Sequence, residues 1–148
     1  MKEAKELAEI FPVIIDVIKK NSKNMMACEK EGITHTDFRI LYNLYINSGR
    51  LVMKDLANRL GVTRGTLTTT IKRVITKKYC VRKQSDEDSR QTFICLTAKG
   101  MKLIDKEKDN LEKNLEHLFN KMTVAERKKI LSAYKSIYEI LIKYRDKL

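Results

Sequence analysis

The chain has 148 residues, which is enough for one domain with a sizeable hydrophobic core. Its 43% hydrophobic and 34% charged residues are typical of a helix-rich globular protein and exclude a disordered chain. No apolar run is long enough to cross a bilayer, and the amphipathic first residues do not resemble a signal peptide, so we expect a cytoplasmic protein.

The formal net charge of +12 is concentrated in the middle of the chain. Residues 50–100 hold 12 of the 31 Lys and Arg but only 4 of the 19 Asp and Glu. Such a concentration suits the neutralisation of nucleic-acid phosphates. A solvated basic surface has the same composition, so charge alone leaves both interpretations open.

The sequence contains no pattern typical of a metal, disulfide or catalytic site. Its cysteines, Cys28, Cys80 and Cys95, are odd in number and lack CxxC spacing, and His35 and His117 lie far apart. We interpret the cysteines as packed thiols, with a redox role for Cys28 left open. No nucleophile and base, paired carboxylates or Gly-rich phosphate loop occurs either, so we predict a non-enzyme without metal or cofactor.

The first segment, from Lys2 to about Lys30, predicts a helix with a wide apolar face that includes Leu7 and Ile14. Pro12 lies inside it and predicts a kink or a restart. Gly32 ends this element. Thr34, with Asp37 three residues later, predicts the N-cap of a second helix that buries Phe38, Leu41 and Tyr45 and stops at residues 47–49.

Two short helices around a glycine turn come next. One runs from Met53 to Gly61, and Thr63 caps the other, whose apolar positions Leu67, Ile71, Val74 and Ile75 predict its core face. The remaining surface of the second helix is basic or rich in threonine. It comprises Arg64, Gly65, Thr66, Thr68, Thr69, Lys72 and Arg73.

The hydrophobic period then changes from that of a helix to that of strands. Residues 79–84 and 91–96 predict a β-hairpin with a polar loop that contains Asp86, Asp88 and Arg90. Thr97 predicts the cap of a long helix through about Phe119. The sequence 123–126 predicts a capping box for a last helix with an apolar stripe.

This order of elements predicts a mostly α fold with a small β-hairpin wing. We expect a winged helix-turn-helix over residues 34–98, flanked by dimerisation helices over 1–31 and 99–148, all in a single domain spanning 1–148. The apolar stripes of the terminal segments exceed what so small a domain would bury, which indicates a homodimer. The alternative, that these stripes only wrap their own core, stays open.

The DNA-contacting residues follow from this architecture. A recognition helix contacts bases through its N-terminal turns, so Arg64, Gly65, Thr66, Thr68 and Thr69 are predicted in the major groove, with Lys72 and Arg73 nearer the phosphates. Arg90 is predicted to enter the minor groove, with Asp86 and Asp88 holding it by charge-assisted hydrogen bonds. An ordinary surface helix and a solvated turn remain the alternatives.

The chain resembles the MarR family (multiple-antibiotic-resistance-type regulators) over essentially its whole length. The resemblance lies in Ile33-Thr34, Asp55-Leu56-Ala57, Leu60-Gly61-Val62-Thr63, Asp86-x-Asp88-x-Arg90 and Leu96-Thr97-x-x-Gly100. It implies a homodimer joined by the first and last two helices, a pseudo-palindromic operator and often a small effector that abolishes binding. The family's wing arginine maps onto Arg90 and its supporting aspartate onto Asp88. The early cysteine of the peroxide-sensing branch is missing, since Cys28 lies at the end of the first helix.

We therefore predict a sequence-specific double-stranded DNA-binding transcriptional regulator, a dimeric repressor, with a nonspecific architectural DNA-binding protein as the alternative. A winged helix used for protein contact is a third interpretation. Effector binding is predicted in a pocket between the dimerisation helices and the DNA-contacting part, where Arg39 or His35 would pair with the carboxylate of an aromatic acid or acyl ligand. The predicted lining is Phe11, Ile15, His35, Phe38, Arg39 and Tyr42. That these are core and surface residues without a ligand is the open alternative.

Overall fold

The computed structural model describes residues 1–21, 27–86, 88 and 90–144. Its helices are α1 (Lys2–Asn21), α2 (Ala27–Lys30), α3 (His35–Tyr45), α4 (Met53–Leu60), α5 (Arg64–Thr76), α6 (Ala98–Phe119) and α7 (Val124–Ile142). Its strands are β1 (Arg50–Val52), β2 (Cys80–Gln84) and β3 (Thr92–Leu96). The predicted fold class, mostly helical with a small β wing, is confirmed. None of the helices described is both long and apolar enough to cross a membrane.

The chain divides into two compact units. One, here called the winged unit, is Met26–Asp109, and the other, the terminal unit, comprises Met1–Met25 and Asn110–Leu148. The winged unit is wider than the predicted 34–98 because Cys28 and Ile33 before α3, and Leu103 and Ile104 on α6, are buried in its core.

The core of the winged unit is built from the apolar faces that the helical spacing predicts. Leu41 of α3 and Leu67 and Ile71 of α5 are fully buried or nearly so, whereas Phe38 and Tyr45 pack at the edge of the core. The other buried apolar side chains of α3, α4, α5 and β3 are Ile40, Leu44, Leu56, Ala57, Leu60, Val74 and Ile94. Burial of these side chains removes apolar surface from water and stabilises the unit.

The predicted helix caps are confirmed. Thr34 and Asp37 form a reciprocal capping box at the start of α3, and the Thr63 side chain accepts the Thr66 N–H at the start of α5. Between α4 and α5, Gly61 adopts φ 65° and ψ 35°, a left-handed conformation that glycine takes without strain. The capping box predicted at 123–126 forms at the start of α7.

The sheet has three antiparallel strands in the order β1-β3-β2, one more than the predicted hairpin. β1 is only three residues long, and its residue Leu51 lies opposite Ile94 of β3. Alternation along the strands places Ile94 and Cys80 in the core and leaves Phe93 partly exposed on the outer face.

Gly100 allows the first turn of α6 to pack closely against the main chain before β2. A Cβ on this residue would lie 2.3 Å from the main-chain oxygen of Tyr79 and 2.7 Å from Leu96 Cδ1. The Gly100 N–H also donates to Thr97 Oγ1 at 3.1 Å, and that hydroxyl lies 2.8 Å from the Lys78 carbonyl oxygen. The Leu96-Thr97-x-x-Gly100 motif thus docks the start of α6 on the loop before β2.

The first helix differs from the prediction. α1 continues through Pro12, so the predicted restart is wrong. A proline inside a helix removes one main-chain donor and crowds the carbonyl four residues earlier, but its fixed φ is close to the helical value, so the helix can continue beyond it. Within the predicted single element up to Lys30, the structure describes α1 to Asn21 and α2 from Ala27, and residues 22–26 lie outside the described residues.

Candidate nucleic-acid interface

The first two turns of α5 present the predicted contact residues at the surface. Arg64, Gly65, Thr66 and Thr69 are exposed, and Thr68 is half-buried. The opposite side of the helix carries Leu67, Ile71 and Val74, which are buried in the core of the winged unit. The structure therefore brings together every predicted contact residue of these turns on a surface that is accessible from solvent.

The threonine hydroxyls of α5 are already bonded within the helix. Thr68 Oγ1 donates to the Arg64 carbonyl at 2.8 Å, and Thr69 Oγ1 donates to the Gly65 carbonyl at 3.4 Å. Their oxygen lone pairs and methyl groups stay available for a partner. Thr70 differs, because it is 9% exposed and its hydroxyl donates to the Thr66 carbonyl, so this threonine belongs to the core side.

The two basic residues of the last turns of α5 have different surroundings. Lys72 is exposed. Arg73 reaches α3, where its Nε lies 2.9 Å and its Nη2 2.6 Å from Asp37 Oδ1. Nε also lies 3.0 Å from Asp37 Oδ2, and Nη2 donates to Thr34 Oγ1 at 3.3 Å. The Arg73 guanidinium is therefore bonded to side chains of α3. The prediction that Arg73 contacts DNA did not include this pairing.

Asp37 is a buried carboxylate with an unusually complete hydrogen-bond shell. Its residue is 0% exposed, and Oδ2 accepts the Thr34 N–H at 3.0 Å in addition to the bonds from Arg73. Burial acts to raise the pKa of this carboxyl, but the hydrogen bonds from Arg73 and Thr34 outweigh it and hold the pKa below its ordinary value. The carboxylate is therefore charged at neutral pH, and the same pairing raises the pKa of Arg73.

Asp37 is the residue whose wider role the sequence reasoning missed. Its position three residues after Thr34 predicted the capping box, which is a local signal. The partner Arg73 lies 36 residues further along the chain. Only the packing of α3 against α5 brings the two together.

The loop between β2 and β3 is shaped by main-chain contacts. Asp88 Oδ1 accepts the main-chain N–H of Arg90 at 2.9 Å, and the Asp88 N–H donates to Ser85 Oγ at 3.3 Å. Asp88 therefore supports Arg90 through its backbone rather than through its guanidinium. Asp86 is exposed and, within the described part of the loop, is not among the hydrogen-bond partners of Arg90. Arg90 itself is exposed.

Two cations near the wing were not predicted as site residues. Arg50 of β1 and Lys83 of β2 line an open cavity of about 320 Å³ together with Phe93 and Cys95. The Arg50 guanidinium lies 5.2 Å from the centre of the Phe93 ring, in a cation–π contact. β1 is too short to be recognised from its sequence, so its arginine was not assigned to the sheet.

The residues predicted to bind an effector lie on two helices. Phe11, which is exposed, and Ile15, which is half-buried, belong to α1. On α3 the rings of Phe38 and Tyr42 stack with their centres 5.9 Å apart, and Arg39 Nη2 donates to the Leu60 carbonyl at 3.3 Å. The sixth residue, His35, is exposed at the start of α3. The effector site itself stays a prediction.

The cysteines have the surroundings of packed thiols. Cys28 and Cys80 are buried, and burial, with smaller effects from neighbouring groups, raises the pKa of each thiol to about 12. Such thiols stay protonated at neutral pH and are weak nucleophiles. Cys95 is half-buried. Among the residues that the structure describes, no group of three or more His, Cys, Asp or Glu is placed to hold a metal ion.

Comparison with known proteins finds similar sequences for the winged unit and for most of the chain. Residues 31–91 match the profile of the MarR family. The transcriptional regulator SarZ of Staphylococcus aureus is 29% identical over 124 residues, which is 84% of this chain and 79% of SarZ.

Two solved structures resemble the chain over at least nine tenths of its length. The transcriptional regulator Tm0710 from Thermotoga maritima superimposes with a TM-score of 0.73 at 25% identity, over 97% of this chain and 99% of that one. S. aureus MepR, solved as a complex with DNA, superimposes with a TM-score of 0.69 at 22% identity, over 90% of this chain and 98% of that one, a likeness of fold. The sequence match and the shared fold agree with the resemblance stated from the motifs. Residues 31–91 thus match the MarR family, and the chain over most of its length is similar to winged helix-turn-helix transcriptional regulators.

Proposed function

We propose that this chain is a sequence-specific double-stranded DNA-binding regulator that acts as a homodimeric repressor on a pseudo-palindromic operator. The observation that carries the proposal is the division of α5 into two faces. Its core face is buried in the winged unit, while Arg64, Gly65, Thr66 and Thr69 are exposed on its first two turns. A helix held in this way can enter the major groove without disturbing the core.

Each exposed residue of α5 has a defined chemistry toward DNA. The Arg64 guanidinium donates two hydrogen bonds to the O6 and N7 of a guanine, and the threonine methyl and hydroxyl groups contact a thymine methyl or a base edge. Gly65 lets the backbone approach the duplex. Lys72 binds a phosphate. Arg73 is left out of the proposed contacts because Asp37 holds its guanidinium.

The wing supplies a second contact. Arg90 is exposed in a loop whose backbone Asp88 holds, so its side chain is free to extend from a fixed position. The negative potential of a narrow minor groove attracts such an arginine. We place Arg90 in the minor groove next to the major groove that α5 occupies.

Dimerisation is proposed from the apolar side chains of the terminal unit. No residue of α7 is buried, and Tyr134, Ile137, Tyr138 and Leu141 lie on its surface at least half exposed. α1 likewise exposes large apolar side chains, among them Leu7 and Phe11. Exposed apolar surface of this extent marks an interface, and a second copy of the chain is the occupant that a two-fold operator requires. Two winged units would then contact half-sites about 34–36 Å apart.

A selection experiment tests the proposed function. Genomic fragments retained by the purified protein are sequenced, and the enriched duplex is compared with a random duplex of equal length in a fluorescence anisotropy competition at fixed salt. We expect the selected duplex to bind at least a thousandfold more tightly. Equal affinity for both duplexes would instead establish the architectural, nonspecific alternative, and failure to bind any duplex would favour a protein-contact role.

Release by an effector is proposed for the predicted residues of α3. The stacked Phe38 and Tyr42 offer an aromatic surface on the helix that also carries Arg39 and His35, and this set of side chains suits an aromatic acid or an acyl carboxylate. Phe11 and Ile15 of α1 stay part of the lining predicted from the sequence. Calorimetry with a panel of aromatic and acyl acids, followed by anisotropy with the selected duplex, tests this. Absence of both binding heat and DNA release across the panel would contradict it.

A further inference from the structure

The Asp37–Arg73 pair joins the first turn of α3 to the last turns of α5. Asp37 is completely buried, and the Arg73 side chain is 44% exposed. The other ion pairs among the described residues, Lys2–Glu6 and Lys20–Asp16, are exposed contacts within one helix and contribute little to stability. Of these three pairs, Asp37–Arg73 alone links two elements of the winged unit and would leave a buried charge if it were broken.

The geometry of this pair fixes a direction as well as a distance. Arg73 uses both Nε and Nη2 on the same carboxylate, a fork contact that restricts the orientation of the guanidinium plane. Nη2 also donates to Thr34 Oγ1, the N-cap of α3. A lysine at this position would carry the same charge but could not form the fork.

The position of Arg73 along α5 connects the pair to the exposed turns. Arg73 follows Thr66 by seven residues, close to two helical turns, so both side chains leave the helix on nearly the same side. A roll of α5 at Arg73 therefore turns Thr66 and Thr69 by the same angle. The apolar contacts on the core face of α5 are non-directional, so the directional bonds of Arg73 add a restraint on orientation to them.

We propose that Asp37 and Arg73 are positioning residues that set the roll of α5 on α3 and thereby its sequence discrimination, without supplying charge that binds DNA. This inference rests on the proposed DNA-binding function. Base contacts require side chains held to within about 0.5 Å and 10–20° of the productive geometry, whereas phosphate attraction does not. Loss of the pair should then reduce discrimination and leave nonspecific affinity unchanged.

Two variants test the pair while the positive charge of Arg73 or of its replacement is kept. Arg73→Lys removes the fork, and Asp37→Asn removes the carboxylate charge but keeps a capping oxygen of the same size. Affinities for the selected duplex and for a random duplex are measured by anisotropy at several salt concentrations, below the melting temperature of each variant. We expect the ratio of the two affinities to fall at least tenfold in both variants, with random-duplex affinity and its salt dependence unchanged.

Lys72→Ala is the matched control, because Lys72 is the exposed cation beside Arg73. Its loss should weaken binding to both duplexes by the same factor and reduce the salt slope by about 0.9, the value for one phosphate contact. An Arg73→Ala variant that behaves like Lys72→Ala, together with an unchanged ratio in Arg73→Lys, would show that Arg73 binds phosphate and overturn the inference.

Three other results bear on the positioning role of Asp37 and Arg73 or on the proposed function. A lower melting temperature with an unchanged affinity ratio in both variants would make the pair merely structural and overturn the positioning role. If Arg73→Lys fails to fold, the ratio measured with Asp37→Asn decides alone. Wild-type protein that prefers no genomic fragment over random duplex would overturn the proposed function itself, which distinguishes the two failures.

Discussion

The two units of the chain use their apolar residues in opposite ways. In the winged unit, apolar side chains from α3, α4, α5 and the sheet are buried around one another. In the terminal unit, α7 has no buried residue, and Ile137 remains 50% exposed. The winged unit therefore contains its own core, whereas the terminal unit leaves large apolar side chains exposed. The first unit carries the candidate DNA contacts, and the second is where we propose that two copies join.

The largest effect is expected where the winged unit is most tightly packed. Gly100→Ala places a methyl group against the Tyr79 carbonyl, at 2.3 Å, where only main-chain movement could relieve the overlap. We expect the free energy of unfolding of the winged unit to fall by about 3 kcal/mol, measured by urea titration.

Gly65→Ala is the control, because its new Cβ would meet only Thr63 Oγ1 at 3.8 Å. It should leave stability unchanged or raised by up to about 1 kcal/mol and weaken binding to the selected duplex. Equal stability losses in the two variants would contradict the packing described for the start of α6.

The terminal unit is tested by a charge on its apolar surface. Ile137→Asp should convert the dimer to a monomer, as measured by sedimentation, and weaken binding to the selected duplex more than a hundredfold, because one half-site is then bound at a time. The melting of the winged unit should not change. Lys135→Asp is the control, because residue 135 lies about 200° around α7 from residue 137, and this variant should stay dimeric. A dimeric Ile137→Asp variant would place the interface elsewhere.

The next largest effect is expected from a substitution in the wing. Arg90→Ala should weaken binding to the selected duplex more than tenfold at fixed salt, measured by anisotropy, since it removes the minor-groove contact. Asp88→Ala should have a smaller effect, because Asp88 holds only the Arg90 backbone. Asp86→Ala should raise or preserve affinity. An unchanged affinity in Arg90→Ala would remove the wing from the proposed mechanism.

The smallest effect concerns pH. The pKa of Asp37 is lowered in the folded protein, so its stabilising contribution is present above the unfolded pKa of about 3.9 and is lost as the pH falls through the lower folded value. The difference in unfolding free energy between wild type and Asp37→Asn should be constant from pH 7 to about 5 and shrink below about pH 4. A difference independent of pH down to 2 would contradict the ionised pair.

Features that depend on residues close together in the sequence could be predicted, whereas contacts between residues far apart along the chain could not. The caps at Thr34, Thr63 and Thr123 and the apolar faces of α3 and α5 depend on residues three or four positions apart, and the structure confirms them. β1 escaped prediction because three residues show too little alternation, and its pairing with β3 crosses more than 40 residues of chain.

The candidate interface shows the same limit. The exposure of Arg64 and Thr66 follows from helical spacing relative to Leu67 and Ile71, so these residues were found from the sequence. The helical spacing of α5 likewise predicts that Arg73 lies on the surface. Its engagement by Asp37 depends on the crossing of α3 and α5, a tertiary contact that spacing along one helix does not contain.

Guanine methylation protection on the selected duplex tests the central claim, that the exposed turns of α5 enter the major groove, most directly. Wild-type protein should protect a guanine N7 in each of two half-sites about one duplex turn apart, and Arg64→Ala should lose protection at those guanines while still binding the flanking DNA. An unchanged protection pattern in Arg64→Ala, or no protected guanine in the major groove, would contradict the account.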